Sequence, residues 1–522
     1  MIGSAKRLMF LGTGSDVGKS LLTAAFCRIL KQDGYRVAPF KAQNMALNSF
    51  ITAEGAEMGR AQVVQAEAAG IAPHVDMNPV LLKPTSQMGS QVIVLGKPVG
   101  NFSARDYYRY KTELLPVVRE AFGRLAQRYD VVVLEGAGSA VELNLKENDL
   151  VNLSMAHWAE APCVLVGDID RGGIFASLLG SLALMSSEER RRIVGMMVNK
   201  LRGDPALFSG GVRILEDRSG CPVLGVIPHF DHISIAEEDS VALGKRMRRG
   251  ADVAPSAGKV AVGVLRLPFI SNYTDFDCFE REPGVDLVYF DEPASVFRFD
   301  AVVLPGSKNT LEDLDHLRRT GMADAVKAYY KSGGTVVGIC GGYQMLGRRL
   351  LDPQGVESAL RELPGLGLLA METEMFPEKT TTQSEAVPLE ELAGLGEQIG
   401  EGSAGESLHG YEIHMGRSRP LEGRERPLFR VFKRNGEPAD DRDGLIGEDG
   451  RVWGTYLHGV FDNDGFRRRF LEFLRHRSGK TEAAPGEAFT YAKWKDEQYD
   501  LLADHVRAHC DVDLVYRLAG LE

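Results

Sequence analysis

The sequence predicts an α/β protein made of two doubly wound parallel-sheet domains. Three observations carry that expectation. Short β-branched runs recur through both halves, and most lead into a glycine-bearing turn and then a helix-forming stretch, the order that buries a parallel sheet between helices. One such run ends in a glycine-rich turn closing on Lys19-Ser20, and a later one ends in Cys340-Gly341-Gly342. Between them, Gly244 to Gly258 combines a basic cluster, a proline and small residues, which reads as a linker. The expected organisation is therefore a domain over 1–243, a linker over 244–258 and a domain over 259–522.

At 522 residues the chain exceeds one ordinary core, so more than one domain is expected. Its 44% hydrophobic and 25% charged residues are those of a globular protein. A formal net charge of −11, with no basic stripe interleaved with aromatics, argues against nucleic acid as a partner. The six cysteines share no C-x-x-C spacing, which disfavours a zinc site or a disulfide framework and fits a reducing cytoplasm. The first residues run straight into an apolar strand, and no apolar run reaches the roughly 18 residues that span a bilayer. A cytoplasmic protein with no membrane partner is expected; the oligomeric state stays open.

In the first half, Arg7–Leu11 reads as a buried strand, Gly12 to Ser20 as a phosphate cradle and Leu21–Gln32 as an amphipathic helix. The N–H groups of Gly12, Thr13, Gly14, Ser15, Asp16, Val17 and Gly18 would wrap phosphates, Lys19 would add a point charge and the Ser20 hydroxyl would ligate Mg²⁺. A strict P-loop has its first glycine where this chain has Thr13; here Gly12 starts the run one residue earlier.

The strand Tyr35–Phe40 delivers Lys41, which is either a neutraliser of a transferring phosphoryl group or a solvated surface lysine. Gln43, Asn44 and Asn48 would line a site for a substrate rich in carboxylates and amides. Glu57 is a metal or substrate contact, or equally an exposed helix carboxylate. The strand Asp130–Glu135 ends in a carboxylate suited to holding Mg²⁺ beside the cradle. Cys163–Asp168, Ile193–Asn199 and Val223–Pro228 complete the strand set, with Asn199 placed to read a purine edge.

In the second half, Lys259–Leu265 and Phe299–Leu304 are strands, and Gly306 in the turn after the second would present an N–H to an oxyanion. The helix Met322–Lys331 and the strand Thr335–Ile339 lead to Cys340. A cysteine on so sharp a strand-to-helix turn is a nucleophile candidate, with the Gly341 N–H as second oxyanion donor. Taken alone, the pattern also suits an inert buried thiol. A catalytic thiol needs an imidazole. His458, at a strand end and followed by glycine, suits that role better than His414, which reads as a structural or pocket residue. Phe466 to Leu518 reads as a charged helical appendage of this domain.

The variant cradle resembles that of dethiobiotin synthetase and related amide-forming P-loop enzymes. Gly14 stands where partitioning ATPases carry an extra lysine. Gly338-Ile-Cys-Gly-Gly-Tyr-Gln344, the Pro-Gly-Ser turn and the late histidine resemble class I glutamine amidotransferases, with their flavodoxin-like domain. Most of that class have a glutamate two residues after the histidine, where this chain has Val460. A Cys–His dyad is therefore expected, its imidazole oriented some other way.

Phe40 to Ser49, Met77 to Pro84, Asp168 to Gly173, Leu304 to Thr310 and Tyr411 to Gly416 add order and spacing that resemble the glutamine-hydrolysing cobyric acid synthase family along the whole chain. The resemblance implies ATP- and glutamine-dependent amidation of a corrinoid in cobalamin biosynthesis, with Mg²⁺, Cys340 and His458 as catalytic pair, and Gln344 in the glutamine site. Two alternatives are a cobyrinic acid a,c-diamide synthase and a regulatory P-loop ATPase with a non-catalytic binding domain.

Overall fold

The computed structural model describes residues 4–46, 48–86, 89–236, 255–256, 258–389, 406–421, 425–480 and 489–521. Residues 4–46, 57–236 and 493–521 cluster as one compact unit, and 48–56 with 255–492 as a second. Apart from 255, 256 and 258, the expected linker lies outside the described residues.

The first unit is built on six strands in the order Val223–Pro228, Ile193–Leu201, Cys163–Asp168, Lys6–Gly12, Val131–Glu135 and Val37–Phe40. All adjacent pairs are parallel. Leu8 to Leu11, Val131 to Leu134 and Cys163 to Val166 are buried without interruption, because helices cover both faces and no strand needs a polar side. From the central strand Lys6–Gly12 the chain passes through helix Lys19–Gln32 to the edge strand Val37–Phe40 and returns to Val131–Glu135 between the two, whereas the last three strands fill the other side. The strand order thus reverses at Lys6–Gly12, and the crevice outside its carboxyl end is where such a sheet binds ligand. The sequence reading passed over a second, four-stranded sheet formed by Gln43–Met45, Val80–Ser86, Gly89–Val94 and Lys97–Ser103.

Residues 493–521 depart from the expectation that the helical C-terminus belongs to the second domain: they cluster with the first unit. The reason lies in one helix face. Tyr499, Leu502, Ala503 and Val506 recur at helical spacing and join Phe26, Ile29 and Leu30 in one apolar cluster. Arg28, only 4% exposed, donates to Asp496 at 2.8 Å and Asp500 at 2.7 Å. Burying each of these large side chains contributes about 1.5–3 kcal/mol.

The second unit starts from a parallel sheet in the order Val285–Phe290, Val260–Leu265, Ala301–Leu304, Thr335–Ile339 and Val452–Thr455. Beyond Val452–Thr455 the sheet turns antiparallel through Glu437–Ile446, Arg426–Arg434 and Met371–Pro388, with Leu408–Pro420 paired to the last. The parallel pattern was expected; the antiparallel extension uses a region in which the sequence reading found little.

Residues 48–56 also belong here. Gln383 Nε2 donates to the Ile51 carbonyl, Thr381 Oγ1 donates to the Gly55 carbonyl at 2.9 Å, and Ile51 joins Tyr411 and Ile413 in a small apolar cluster. No helix among the described residues is long and apolar enough to cross a membrane.

Candidate active sites

The strand Thr335–Ile339 pairs in register with Val452–Thr455, Ile339 opposite Thr455. Cys340 and His458 therefore leave neighbouring strands at the same end. Cys340 has φ 51° and ψ −109° between its strand and the short helix Gly341–Leu346, the strained turn expected of a nucleophile elbow, and it is buried. Gly342 cannot be replaced cheaply here, because a Cβ would lie 1.9 Å from the Leu304 carbonyl oxygen. That close approach brings the Gly306 turn to the elbow: a Cβ on Gly341 would be 2.9 Å from Ser307 N, and one on Gly306 3.2 Å from His458 Cε1. Gly306 itself pairs antiparallel with Ser271.

His458 is 1% exposed, and its Nδ1 lies 2.7 Å from Asp275 Oδ2. The other carboxylate oxygen accepts the Gly459 N–H at 3.0 Å, so Asp275 grips both the ring and the backbone beside it. Burial alone would lower the imidazole pKa. The negative charges of Asp275 and Cys340, with hydrogen bonds to both, override it and raise the value from the ordinary 6.5 to about 10. The Cys340 thiol faces the Ile413 carbonyl at 3.6 Å. Sequence reasoning missed Asp275. It stands 183 residues before His458, and no local pattern ties a carboxylate in Asn272-Tyr-Thr-Asp275 to that ring. The imidazole left without its usual glutamate by Val460 is oriented by this residue instead.

Gln344 spends its amide on protein: Oε1 accepts from Thr310 Oγ1 at 3.1 Å and Nε2 donates to Tyr456 OH at 3.3 Å. His414 stacks on Tyr456 with ring centroids 3.8 Å apart, its Nδ1 2.7 Å from the Gly416 carbonyl oxygen.

In the first unit the cradle wraps the start of helix Lys19–Gln32. Lys19 Nζ donates to the carbonyls of Gly14 and Gly138 at 2.8 and 2.9 Å. Thr13 bridges Ser139, and Asp16 pairs with Arg171 and Lys200. Gly18 has φ 97°, and a Cβ there would sit 2.0 Å from Asn199 Nδ2. Asn199 is packed against the loop rather than held free for a base: Nδ2 donates to the Val17 carbonyl and Oδ1 accepts from Lys200 N, both at 2.9 Å.

Glu135, 2% exposed, is the hub. Its Oε1 accepts from Ser20 Oγ at 2.7 Å and Lys41 Nζ at 2.8 Å, and its Oε2 accepts from Gln65 Nε2 at 2.5 Å. Burial would raise its pKa, but the Lys41 charge and the bonds from Lys41, Ser20 and Gln65 hold it below the usual carboxylate value. The structure thus brings Ser20, Lys41 and Glu135 together and adds Gln65, which the sequence reading did not name.

The other expected residues are placed elsewhere. Glu57, neither exposed nor at Glu135, forms an ion pair with Lys83, both fully buried. Asn44 donates to Gln62 at 3.0 Å, and Gln43 accepts from Tyr107 OH at 2.6 Å. Asn48 lies in the second unit. Ser20 Oγ and Glu135 Oε1 meet in a 2.7 Å hydrogen bond and are oxygens of the kind that hard cations bind.

Residues 8–243 match the family model of the CobQ/CobB/MinD/ParA nucleotide binding domain, and 261–466 that of the CobB/CobQ-like glutamine amidotransferase domain. The chain is 67% identical over 521 residues to the cobyric acid synthase of Syntrophobacter fumaroxidans, covering 100% of each. It is 49% identical to that of Sorangium cellulosum, covering 99% of each chain. It is also 49% identical to that of Pelotomaculum thermopropionicum, over 99% of this chain and 97% of the relative.

Proposed function

The chain belongs to the cobyric acid synthase family, and from that premise we propose that it uses glutamine and ATP to amidate a corrinoid in cobalamin biosynthesis. The acceptors are the b, d, e and g side-chain carboxylates of adenosylcobyrinic acid a,c-diamide, and the product is adenosylcobyric acid. Each round uses one glutamine and one ATP. The observation that carries this reading is an intact Cys340–His458–Asp275 constellation in a chain that matches cobyric acid synthases from end to end.

In the second unit, Cys340 Sγ attacks the glutamine amide carbon. The N–H of Gly341 and the Gly306 turn receive the oxyanion, and His458 passes a proton to the departing ammonia. Water, deprotonated by the same ring, then attacks the thioester and releases glutamate. In the first unit, the carboxylate must be activated, because a carboxylate is a poor acyl donor. The cradle from Gly12 to Ser20 binds the ATP phosphates, and Lys19 and Lys41 offset charge on the transferring phosphoryl group as the acyl phosphate forms. Ser20 and Glu135 would hold Mg²⁺, which supplies charge neutralisation at the phosphates. Lys41 then plays the phosphoryl role rather than that of a solvated lysine, being buried against Glu135.

Glutamine- and ammonia-driven synthesis by Cys340→Ala tests the division of labour. Loss of the glutamine-driven reaction alone is expected; loss of both would mean that Cys340 also serves the synthetase site. Counting amidations on the corrinoid separates this reading from a cobyrinic acid a,c-diamide synthase, since a product that stops at the diamide overturns it.

A further inference from the structure

Resting on the glutaminase reading, one more residue governs how the imidazole works. Residues 48–56 belong to the second unit, although the chain on either side of them belongs to the first. Two relays connect them to His458. The Ser49 N–H donates to Asn272 Oδ1 at 3.3 Å, and Asn272 Nδ2 lies 3.3 Å from His458 Nε2. Phe50 packs against Tyr411 at 5.3 Å between ring centroids, and Tyr411 stacks on the imidazole at 5.1 Å and 18°.

The first relay has a chemical direction. A backbone N–H can bond only the oxygen of an amide, so Ser49 decides which end of Asn272 is turned toward the ring. The end that faces Nε2 is the NH₂ group. A donor there favours a ring with a lone pair on Nε2 and opposes an Nε2–H. Asp275 on Nδ1 and the sulfur of Cys340 favour the opposite, doubly protonated ring. Among the described residues, those two charges, the Tyr411 ring and Asn272 face the imidazole, with the Gly306 turn against Cε1. Asn272 has φ 51° and ψ 38°, a left-handed conformation that asparagine tolerates better than most residues.

A second observation concerns the segment itself. Asn48 is fully buried, and neither its Nδ2 nor its Oδ1 has a hydrogen-bond partner among the described residues. A buried amide with both ends unspent is costly, which makes 48–56 the segment where a polar partner would be gained.

We propose that Asn272 is a positioning residue that passes the arrangement of residues 48–56 to His458. With Ser49 engaged, the amide biases the ring toward the form that can accept the thiol proton. With Ser49 withdrawn, the amide rotates, offers oxygen to Nε2–H and lets the imidazolium dominate. Upstream the segment continues from Lys41 and downstream it continues toward Gln65, the two residues bonded to Glu135.

The test uses the full chain with Asp275 in place, so that Nδ1 keeps its acceptor and Nε2 its lone pair. Glutamine hydrolysis and alkylation of Cys340 by iodoacetamide are followed against pH with Asn272 intact, with Asn272→Asp and with Asn272→Gly. Aspartate places a carboxylate oxygen on Nε2, so both profiles should move up by about one pH unit or more. Glycine keeps the left-handed backbone and should lower kcat about ten-fold with KM for glutamine little changed. Unmoved profiles in Asn272→Asp, or a rise in KM alone in Asn272→Gly, would overturn the proposal. If the parent chain hydrolyses no glutamine, the glutaminase reading fails instead, and the alkylation profile still reads the ring.

Discussion

Replacing Asp275 with asparagine changes almost no volume but reverses the hydrogen bonding at the catalytic imidazole. The Gly459 N–H already holds one carboxylate oxygen at 3.0 Å. The single oxygen of asparagine must stay there, which turns its NH₂ group onto His458 Nδ1. Nδ1 must then be an acceptor, the proton moves to Nε2, and the ring can no longer take a proton from Cys340 through that atom. The charge is lost as well. An adjacent carboxylate raises an imidazole pKa by about 1–3 units, or roughly 1.4–4 kcal/mol. Of the rise from 6.5 to about 10, the share due to Asp275 should vanish, while that due to Cys340 remains. The upper limb of the glutaminase pH profile should fall by about 1–3 units, and kcat by about 10²–10⁴-fold, as when the orienting acid of a triad is neutralised. Ammonia-driven synthesis should persist. Stability carries the same sign. Because the folded-state pKa is raised, the imidazolium contributes stability in full below about pH 6.5 and loses it as pH climbs through about 10. The parent should therefore lose more Tm than Asp275→Asn between pH 7 and 10. A variant with kcat within about three-fold of the parent and an unmoved upper limb would refute the assignment of Asp275.

Glu135→Gln removes the carboxylate that buried Lys41 bonds at 2.8 Å, so unfolding free energy should drop by about 3–5 kcal/mol in chemical denaturation, and synthesis should fail with glutamine and ammonia alike. In the parent, the depressed Glu135 pKa makes its contribution present above about pH 4.5 and lost as pH falls through the lower folded value. Gly342→Ala drives a Cβ to 1.9 Å from the Leu304 carbonyl oxygen; a loss of at least about 1–3 kcal/mol is expected, with glutaminase activity reduced and ATP-dependent use of ammonia retained. Leu502→Ala should cost about 2–5 kcal/mol and raise hydrogen exchange in helix Lys19–Gln32, on which Leu502 packs; exchange changing only in the second unit would contradict that packing.

What could be read from the chain follows the range of the forces involved. The cradle and the cysteine elbow are local: a buried strand, small residues at a tight turn and a helix start lie within about fifteen residues, so residue type and spacing reveal them. Glu135 is also announced locally, as a carboxylate ending an apolar strand, although its contacts with Ser20 and Gln65 span 115 and 70 residues. Neither reading of Glu57 anticipated its burial, because a polar neighbourhood in sequence says nothing about a lysine 26 residues on that buries with it. The C-terminal helix was assigned to the wrong neighbour for a related reason. Its apolar stripe shows in the sequence, but a stripe does not name the surface that covers it.

Asp275 sharpens the point, because its role could have been inferred as a vacancy though not as a residue. Val460, two residues after His458, showed that the usual orienting acid was missing, and a catalytic imidazole needs its tautomer held. Any carboxylate that the fold brings to Nδ1 meets that requirement, wherever it lies in the chain. Here it comes from the short turn Tyr273–Phe276 after the strand Ile270–Ser271, and Asn272 caps the same turn. One turn therefore supplies contacts to both ring nitrogens, an acid on Nδ1 and an amide on Nε2. Two groups that bias the same ring in opposite directions, mounted on one backbone segment, make the proton position at His458 sensitive to small shifts of that turn.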